Sequence, residues 1–234
     1  MRRKQTHVLE PLRSCAIGVC LLALAAESPA QHGQDQHQHR GPRDVKAYLE
    51  MLDDPARDKD QKPSEVIEAL AVKPGMTVAD LGSGSGYFTR RFIEAVTESG
   101  KVYAIDVEPE MLAYVKESVI HMHIAYSAEF VLARPDNAKL PAESVDLIFI
   151  CNTFHHLENR PVYLENLKSA LKTGGRIAIV DFYHDARSGD LGFSKQHLVP
   201  RETVVEEVTK AGYKLLREHT FLPRQYFLEF TPGS

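Results

Sequence analysis

From residue 44 onward, apolar positions fall into two alternating rhythms, a spacing near 3.6 residues and short, nearly continuous runs. Asp44 to Leu52 and Pro63 to Leu70 have helical spacing, with Tyr48, Leu49 and Leu52 on one face and Val66, Ile67 and Leu70 on another. Pro63 suits a first helical turn, and Pro74-Gly75 stops that helix. Val78 to Leu81 is an apolar run broken by Asp80 and predicts a first strand, with an amphipathic helix from near Tyr87. Val102 to Ile105 predicts a second strand, Pro109 to about Ile120 a helix, and Glu129 to Ala133 a short third strand. Val145 to Cys151, VDLIFIC, is the near-continuous run of a parallel strand covered on both faces. Pro161 to Leu171 then reads as a helix, Gly174-Gly175 as its break and Arg176 to Phe182 as the fifth strand. The segment 184–200 has two glycines and weak periodicity and reads as a lid or insertion. Arg201 to Ala211 is a helix ended by Gly212, and Tyr213 to Thr220 with Arg224 to Phe230 forms a hairpin through Leu222-Pro223. Strands alternating with helices, closed by a hairpin, predict an α/β domain with a seven-stranded mixed sheet and right-handed crossovers in its parallel part.

The stretch 76–89, MTVADLGSGSGYFT, joins the first strand to its helix. Gly82, Gly84 and Gly86 alternate with serines, so the backbone can turn through positive φ and approach a ligand closely, with the unpaired N–H groups of a helix start beside it. A dinucleotide fingerprint would read G-x-G-x-x-G; here Tyr87 stands where its third glycine belongs. Asp80, two residues before the first glycine, is ill suited to a diphosphate and well suited to an amino group or a sulfonium. That favours S-adenosylmethionine over a nicotinamide cofactor. Asp106 ends the second apolar run about twenty residues on, where an acidic side chain can accept both ribose hydroxyls.

Five motifs in order, ADLGSGSG, VYAIDVEPEML, DNAKLPAESVDLIF, FHHL and LKTGGRIAIVDFY, resemble the class I S-adenosylmethionine-dependent methyltransferases, in particular the small-molecule enzymes of the ubiquinone/menaquinone-biosynthesis type. The resemblance runs from about residue 60 to 230. It implies a Rossmann-like doubly wound seven-stranded mixed sheet with a C-terminal antiparallel hairpin. It also implies S-adenosylmethionine held by Asp80, Gly82, Ser83, Gly84 and Gly86, with Asp106 and Val107 at the ribose. Asp136 occupies the position that in the family contacts the adenine amino group, four residues before Leu140. Asn137 beside it is an equal candidate for a plain Asx turn. Asn152 begins the loop after the fourth strand, at the carboxyl end where doubly wound sheets bind ligands.

Methyl transfer from a sulfonium is an in-line displacement whose leaving group is already activated, so the enzyme chiefly supplies proximity and orientation, up to about 7–11 kcal/mol. No dedicated nucleophile is required. A phenol or an activated ring carbon must lose a proton, which suits a histidine, and His155 and His156 lie at the carboxyl end of the fourth strand. Asp181, Tyr183 and His184 end the fifth strand and point at the same place. The expected partner is a small methyl acceptor, methylated on oxygen or carbon. Two alternatives stay open. VKPGMTVADLGSGSGYFT followed by GKVYAIDVEPE, with QKPS upstream, also resembles the isoaspartyl protein-repair methyltransferases, although FHHL stands where those enzymes carry small residues. The other is a chain that binds the cofactor without catalysis.

Composition narrows the partners. A net charge of −4 leaves no electrostatic footprint for nucleic acid, and 43% apolar with 26% charged residues is ordinary for a globular domain. Arg2, Arg3, Lys4 and Arg13, an apolar stretch from Cys15 to Ala26 and then Ser28-Pro29-Ala30 read as a cleaved secretory signal over 1–30. As a helix that stretch spans about 18 Å, short of a ~30 Å hydrocarbon core, so no permanent membrane span is expected. Residues 31–43, QHGQDQHQHRGPR, read as a polar linker before a methyltransferase domain over 44–234. The expected location is therefore outside the cytoplasm, the periplasm in a bacterium, with an over-extended start on a cytoplasmic enzyme as the alternative. Signal removal would leave Cys151 alone, so no internal disulfide is available and the cysteine-dependent arsenite-methylating branch is disfavoured.

Overall fold

The computed structural model describes residues 44–233. The expected signal and linker, 1–30 and 31–43, lie outside the described residues. Asp44 caps α1 (Val45–Leu52) by accepting from the Ala47 amide at 3.0 Å. Two short helices, α2 (Asp58–Gln61) and α3 (Pro63–Ala69), lead to β1 (Thr77–Leu81). The chain then alternates through α4 (Tyr87–Val96), β2 (Lys101–Asp106), α5 (Pro109–His121), β3 (Ala128–Leu132) and β4 (Val145–Cys151). It continues through α6 (Arg160–Ala170), β5 (Leu171–Phe182), α7 (Arg201–Lys210), β6 (Tyr213–His219) and β7 (Gln225–Pro232).

The seven strands lie in the order β3-β2-β1-β4-β5-β7-β6, parallel through β5, with β7 antiparallel to both β5 and β6. This is the expected mixed sheet with an antiparallel end. The chain builds outward from β1 through β2 to β3 and returns to place β4 on the other side, so the switch of direction falls between β1 and β4, where doubly wound sheets bind ligands. The run that predicted a strand covered on both faces is so covered. Ile148 and Ile150 pack towards Tyr163, Leu164 and Leu167 of α6 and Val204 and Val208 of α7. Leu147 and Phe149 pack on the opposite face with Phe88, Phe92 and Ile93 of α4. The Phe149 ring sits 4.8 Å from Phe88 and 5.1 Å from Phe92 between centroids, and each such buried side chain contributes about 1.5–3 kcal/mol.

One element differs from its expectation. Gly174-Gly175 does not separate a helix from a strand; α6 stops at Ala170 and β5 starts at once with Leu171. Leu171 pairs with Val145, and the ladder resumes only at Arg176 opposite Leu147. The residues between form a bulge that Gly174 enters at φ +79° and where a Cβ on Gly175 would lie 2.9 Å from the Lys172 carbonyl. The glycines let the strand bulge and continue.

The segment 184–200 folds over the sheet as two 3-10 turns, Ala186–Ser188 and Lys195–His197, with Ser188, Leu198 and Val199 buried. Arg224, in the turn before β7, fastens it: Nε donates to the Ser188 carbonyl at 2.6 Å and Nη2 to that of Asp190. Its Nη1 reaches the Asp60 carboxylate of α2 at 3.1 Å. Among the described residues no helix is long and apolar enough to cross a membrane.

Candidate active site

The glycine loop is tied to the sheet by the amides of Gly82 and Ser83, which both donate to the Ile105 carbonyl, at 2.8 and 2.9 Å. Gly82 has φ +76°, and a Cβ there would overlap the Thr153 side chain, so the loop after β1 and the loop after β4 touch at this point. Gly86 has φ +79°, and a Cβ would lie 2.8 Å from Val115 of α5. Neither position tolerates a side chain without movement. α1 covers the loop from above, with Leu52 against Gly84. Tyr48 of the same helix lies near Asp106: its hydroxyl is pushed above the ordinary range first by burial and then by the Asp106 charge.

Asp80 is 3% exposed, and one of its carboxylate oxygens accepts from the Thr89 hydroxyl at 2.6 Å. Burial pushes its carboxyl up to about 7, and the neighbouring Asp106 charge pushes the same way. Asp106 accepts from the amides of Gly84 at 2.9 Å and Glu108 at 3.1 Å, and burial raises its carboxyl as well. Val107 next to it is exposed. The Ala133 amide donates to the Asp106 carbonyl at 2.8 Å, which brings the tight turn 134–137 alongside. Asp136 is exposed in that turn, whereas the Asn137 carboxamide oxygen accepts from the Lys139 amide at 2.6 Å, the Asx turn foreseen as its alternative. Asn152, at φ +53°, accepts at its carboxamide oxygen from Gln225 Nε2 at 2.7 Å.

Residues 154–156 form a 3-10 turn that starts one residue after Thr153. His155 Nδ1 lies 2.8 and 3.0 Å from the two carboxylate oxygens of Asp181, and its amide donates to Asp181 at 3.3 Å. The His155 side chain is 4% exposed and that of Asp181 0%. His156 is exposed, its ring 4.1 Å from that of His155 between centroids. The structure thus separates the pair into a buried and an open histidine, as neighbours at a strand end should be. His197, from the 184–200 segment, brings its ring to 5.7 Å from His155 and stacks on Phe193 at 5.4 Å. Of the three residues that end β5, Asp181 joins the histidines. Tyr183 packs against Tyr226 with the Arg187 guanidinium 3.6 Å over its ring, and His184 is exposed. The sequence reading named neither His197, Phe193 nor Gln225; each comes from a segment whose hydropathy carries no mark of the site.

The cradle fits an S-adenosyl ligand. Gly82 and Gly86 admit no Cβ, a buried acid adjoins the loop, and the Ser83 hydroxyl oxygen in it is buried with no hydrogen-bond partner in the protein, as expected where a ligand completes the bonding. A switch point between β1 and β4, an acid-flanked glycine loop and an antiparallel seventh strand together define a Rossmann-like, S-adenosylmethionine-dependent methyltransferase. The chain belongs to the methyltransferase-domain family, whose profile matches residues 72–216. It is 29% identical over 116 residues to the ubiquinone/menaquinone biosynthesis C-methyltransferase UbiE of Escherichia coli K12, covering 50% of this chain. The Shewanella pealeana protein of the same name is 28% identical over 116 residues. The chain spans about half the length of the curated relatives it matches, 46% of each. The crystal structure of a SAM-dependent methyltransferase from Aquifex aeolicus superposes with a TM-score of 0.74 at 31% identity, over 81% of this chain and 98% of that one.

Proposed function

We propose that this enzyme methylates a small molecule, on carbon or oxygen, with His155 or His156 taking the acceptor's proton. The observation that carries the reading is the contact between Thr153 and Gly82, which sets the histidine turn directly beside the glycine loop. The names of the matched relatives, C-methyltransferases of quinone biosynthesis, favour carbon. When bound, S-adenosylmethionine supplies a methyl group on a positively charged sulfur. The chain's own residues do the rest. Asp80 and Asp106 put negative charge beside the loop, where an ammonium or sulfonium and ribose hydroxyls are recognised. His197 brings its ring to 5.7 Å from His155, and Phe193 stacks on His197, so an aromatic flank stands beside the proton acceptor on its solvent side. An imidazole nitrogen that carries a lone pair accepts the acceptor's proton as the new bond forms.

The test is transfer of labelled methyl from S-adenosylmethionine by the full chain to a panel of small phenols, enols and quinols, with an isoaspartyl peptide alongside. Transfer to small acceptors is expected. His155→Ala or His156→Ala should lower kcat by roughly 10²–10⁴ and leave donor affinity unchanged, because base assistance acts in the transition state. A double variant with wild-type turnover would show that positioning alone carries the chemistry. Transfer to the peptide alone would replace this reading with protein repair.

A further inference from the structure

We infer that Asp181 is a positioning residue that fixes the tautomer of His155, and thereby prepares His155 as a proton acceptor. The inference rests on the histidine-base reading above and adds to it the group that orients the base. An ionised carboxylate can only accept hydrogen bonds, so the nitrogen facing it must carry the hydrogen. His155 Nδ1 faces both Asp181 oxygens, at 2.8 and 3.0 Å, which leaves Nε2 as the nitrogen with the lone pair. Asp181 is built to stay in place. It is fully buried on β5, one oxygen accepts from its neighbour Phe182's amide at 2.8 Å, and the other accepts from the His155 amide at 3.3 Å. Its partner across the β5–β7 ladder is Tyr226, whose hydroxyl donates to the Val199 carbonyl at 3.2 Å. The imidazole is therefore the side chain that Asp181 holds, gripped at ring and amide alike.

A carboxylate that only closed the 154–156 turn would need the amide bond alone. One that also fixes the ring stabilises the imidazolium that proton uptake creates, the role an aspartate plays behind a histidine base in acyl-transfer sites. His156, exposed with its ring tilted by 46° at 4.1 Å from that of His155, and His197 at 5.7 Å are the other titratable rings facing it. They flank the His155 ring while Asp181 occupies Nδ1.

The test reads the tautomer directly and needs no methyl acceptor. Full-chain protein with ¹⁵N-labelled histidine is examined by long-range ¹H–¹⁵N correlation across a pH series, and the tautomer is read where the spectrum itself shows a neutral ring. The His155 signals are assigned by their loss in His155→Ala. The expected wild-type result is a hydrogen on Nδ1 and a bare Nε2. Asp181→Asn, which puts an amide donor among the same partners, and Asp181→Ala, which removes the acceptor, should both shift His155 towards the Nε2–H form. In any assay that the acceptor screen provides, Asp181→Asn should lower kcat by about 10²–10⁴ with KM and donor affinity unchanged. A wild-type His155 with its hydrogen on Nε2 overturns the inference, as does an Nδ1–H form that persists in both folded variants. If neither variant folds, the wild-type spectrum still decides. Failure of methyl transfer would sink the proposed reaction without touching the tautomer, and a wrong tautomer would sink the positioning role whatever the acceptor proves to be.

Discussion

A carboxyl as buried as Asp80 must either give up its charge or meet a cation, because burial penalises the ionised form. Its folded value stands near 7 against 3.8 for the free side chain, so without the methyl donor the neutral form is favoured below about pH 7. The folded chain therefore binds a proton that the unfolded chain releases across this interval. The corresponding stability is fully present below pH ~4 and is lost as the pH rises to ~7, a change on the order of 4 kcal/mol. Asp80→Asn should remove that component from urea-unfolding midpoints measured between these limits. A donor with an ammonium and a sulfonium favours the ionised form, so binding should expel a proton. Affinity for S-adenosylmethionine should rise by up to about tenfold per pH unit as the pH climbs to 7, then level off, and Asp80→Asn should flatten the curve. Calorimetry in buffers of different ionisation enthalpy counts the proton; a count of zero at pH 6 would remove Asp80 from recognition of the cation. The placement of this acid was legible in the sequence because it is set by distance from a glycine close by in the chain. The places of Asp106 and of the histidine turn were legible for another reason, since each follows the carboxyl end of an apolar run that reads as a strand. Gln225 was not legible, since its partner Asn152 lies 73 residues away and nothing local marks a glutamine at a strand start as part of a site.

Two elements cover the carboxyl edge of the sheet, and one side chain joins them. α1 and α2 lie on the glycine-loop side, the 184–200 segment lies on the histidine side, and Arg224 bonds Asp60 of α2 on the first and Ser188 and Asp190 on the second. Hydrogen bonds from a charged donor contribute about 1.5–3 kcal/mol, so Arg224→Ala should raise amide exchange across 186–199 by roughly ten- to a hundredfold while leaving β1 and β4 protected. The KM for the acceptor should increase more than kcat falls. Exchange that is unchanged in this segment would show that Leu198 and Val199, both buried, hold it without the arginine. The helix and strand positions were legible, since burial on one or two faces writes a period into the chain. The β5 bulge was not, because two glycines after a helical pattern look alike whether they end a helix or relax a strand. Nor was the place of β7 between β5 and β6, since a strand's own hydropathy does not name its neighbours.

At the scale of the whole molecule, the site exists only when distant parts of the chain are assembled. As proposed, it draws on Leu52 of α1, Asp80 of β1, Asp106 of β2, the turn at 136 and Asn152 after β4, so an unfolded chain would offer the donor nothing equivalent. A ligand that binds the folded state alone stabilises it by about 2.7 kcal/mol at a hundred times its Kd. For a chain of this size that corresponds to roughly 5–10 °C in Tm. S-Adenosylmethionine and its demethylated product should both give shifts of this size, on the proposal that Asp106 and the glycine loop recognise the nucleoside half that they share. NAD should give none, because Tyr87 stands where a diphosphate-binding loop requires a third glycine and a diphosphate offers the buried Asp80 no cation with which to pair. Differential scanning fluorimetry of the full chain with each ligand, at matched ionic strength, makes the comparison. A shift with NAD equal to that with S-adenosylmethionine would mean that the G-x-G-x-G spacing does not discriminate between the two. The ligand selectivity argued from Asp80 would then fail along with it.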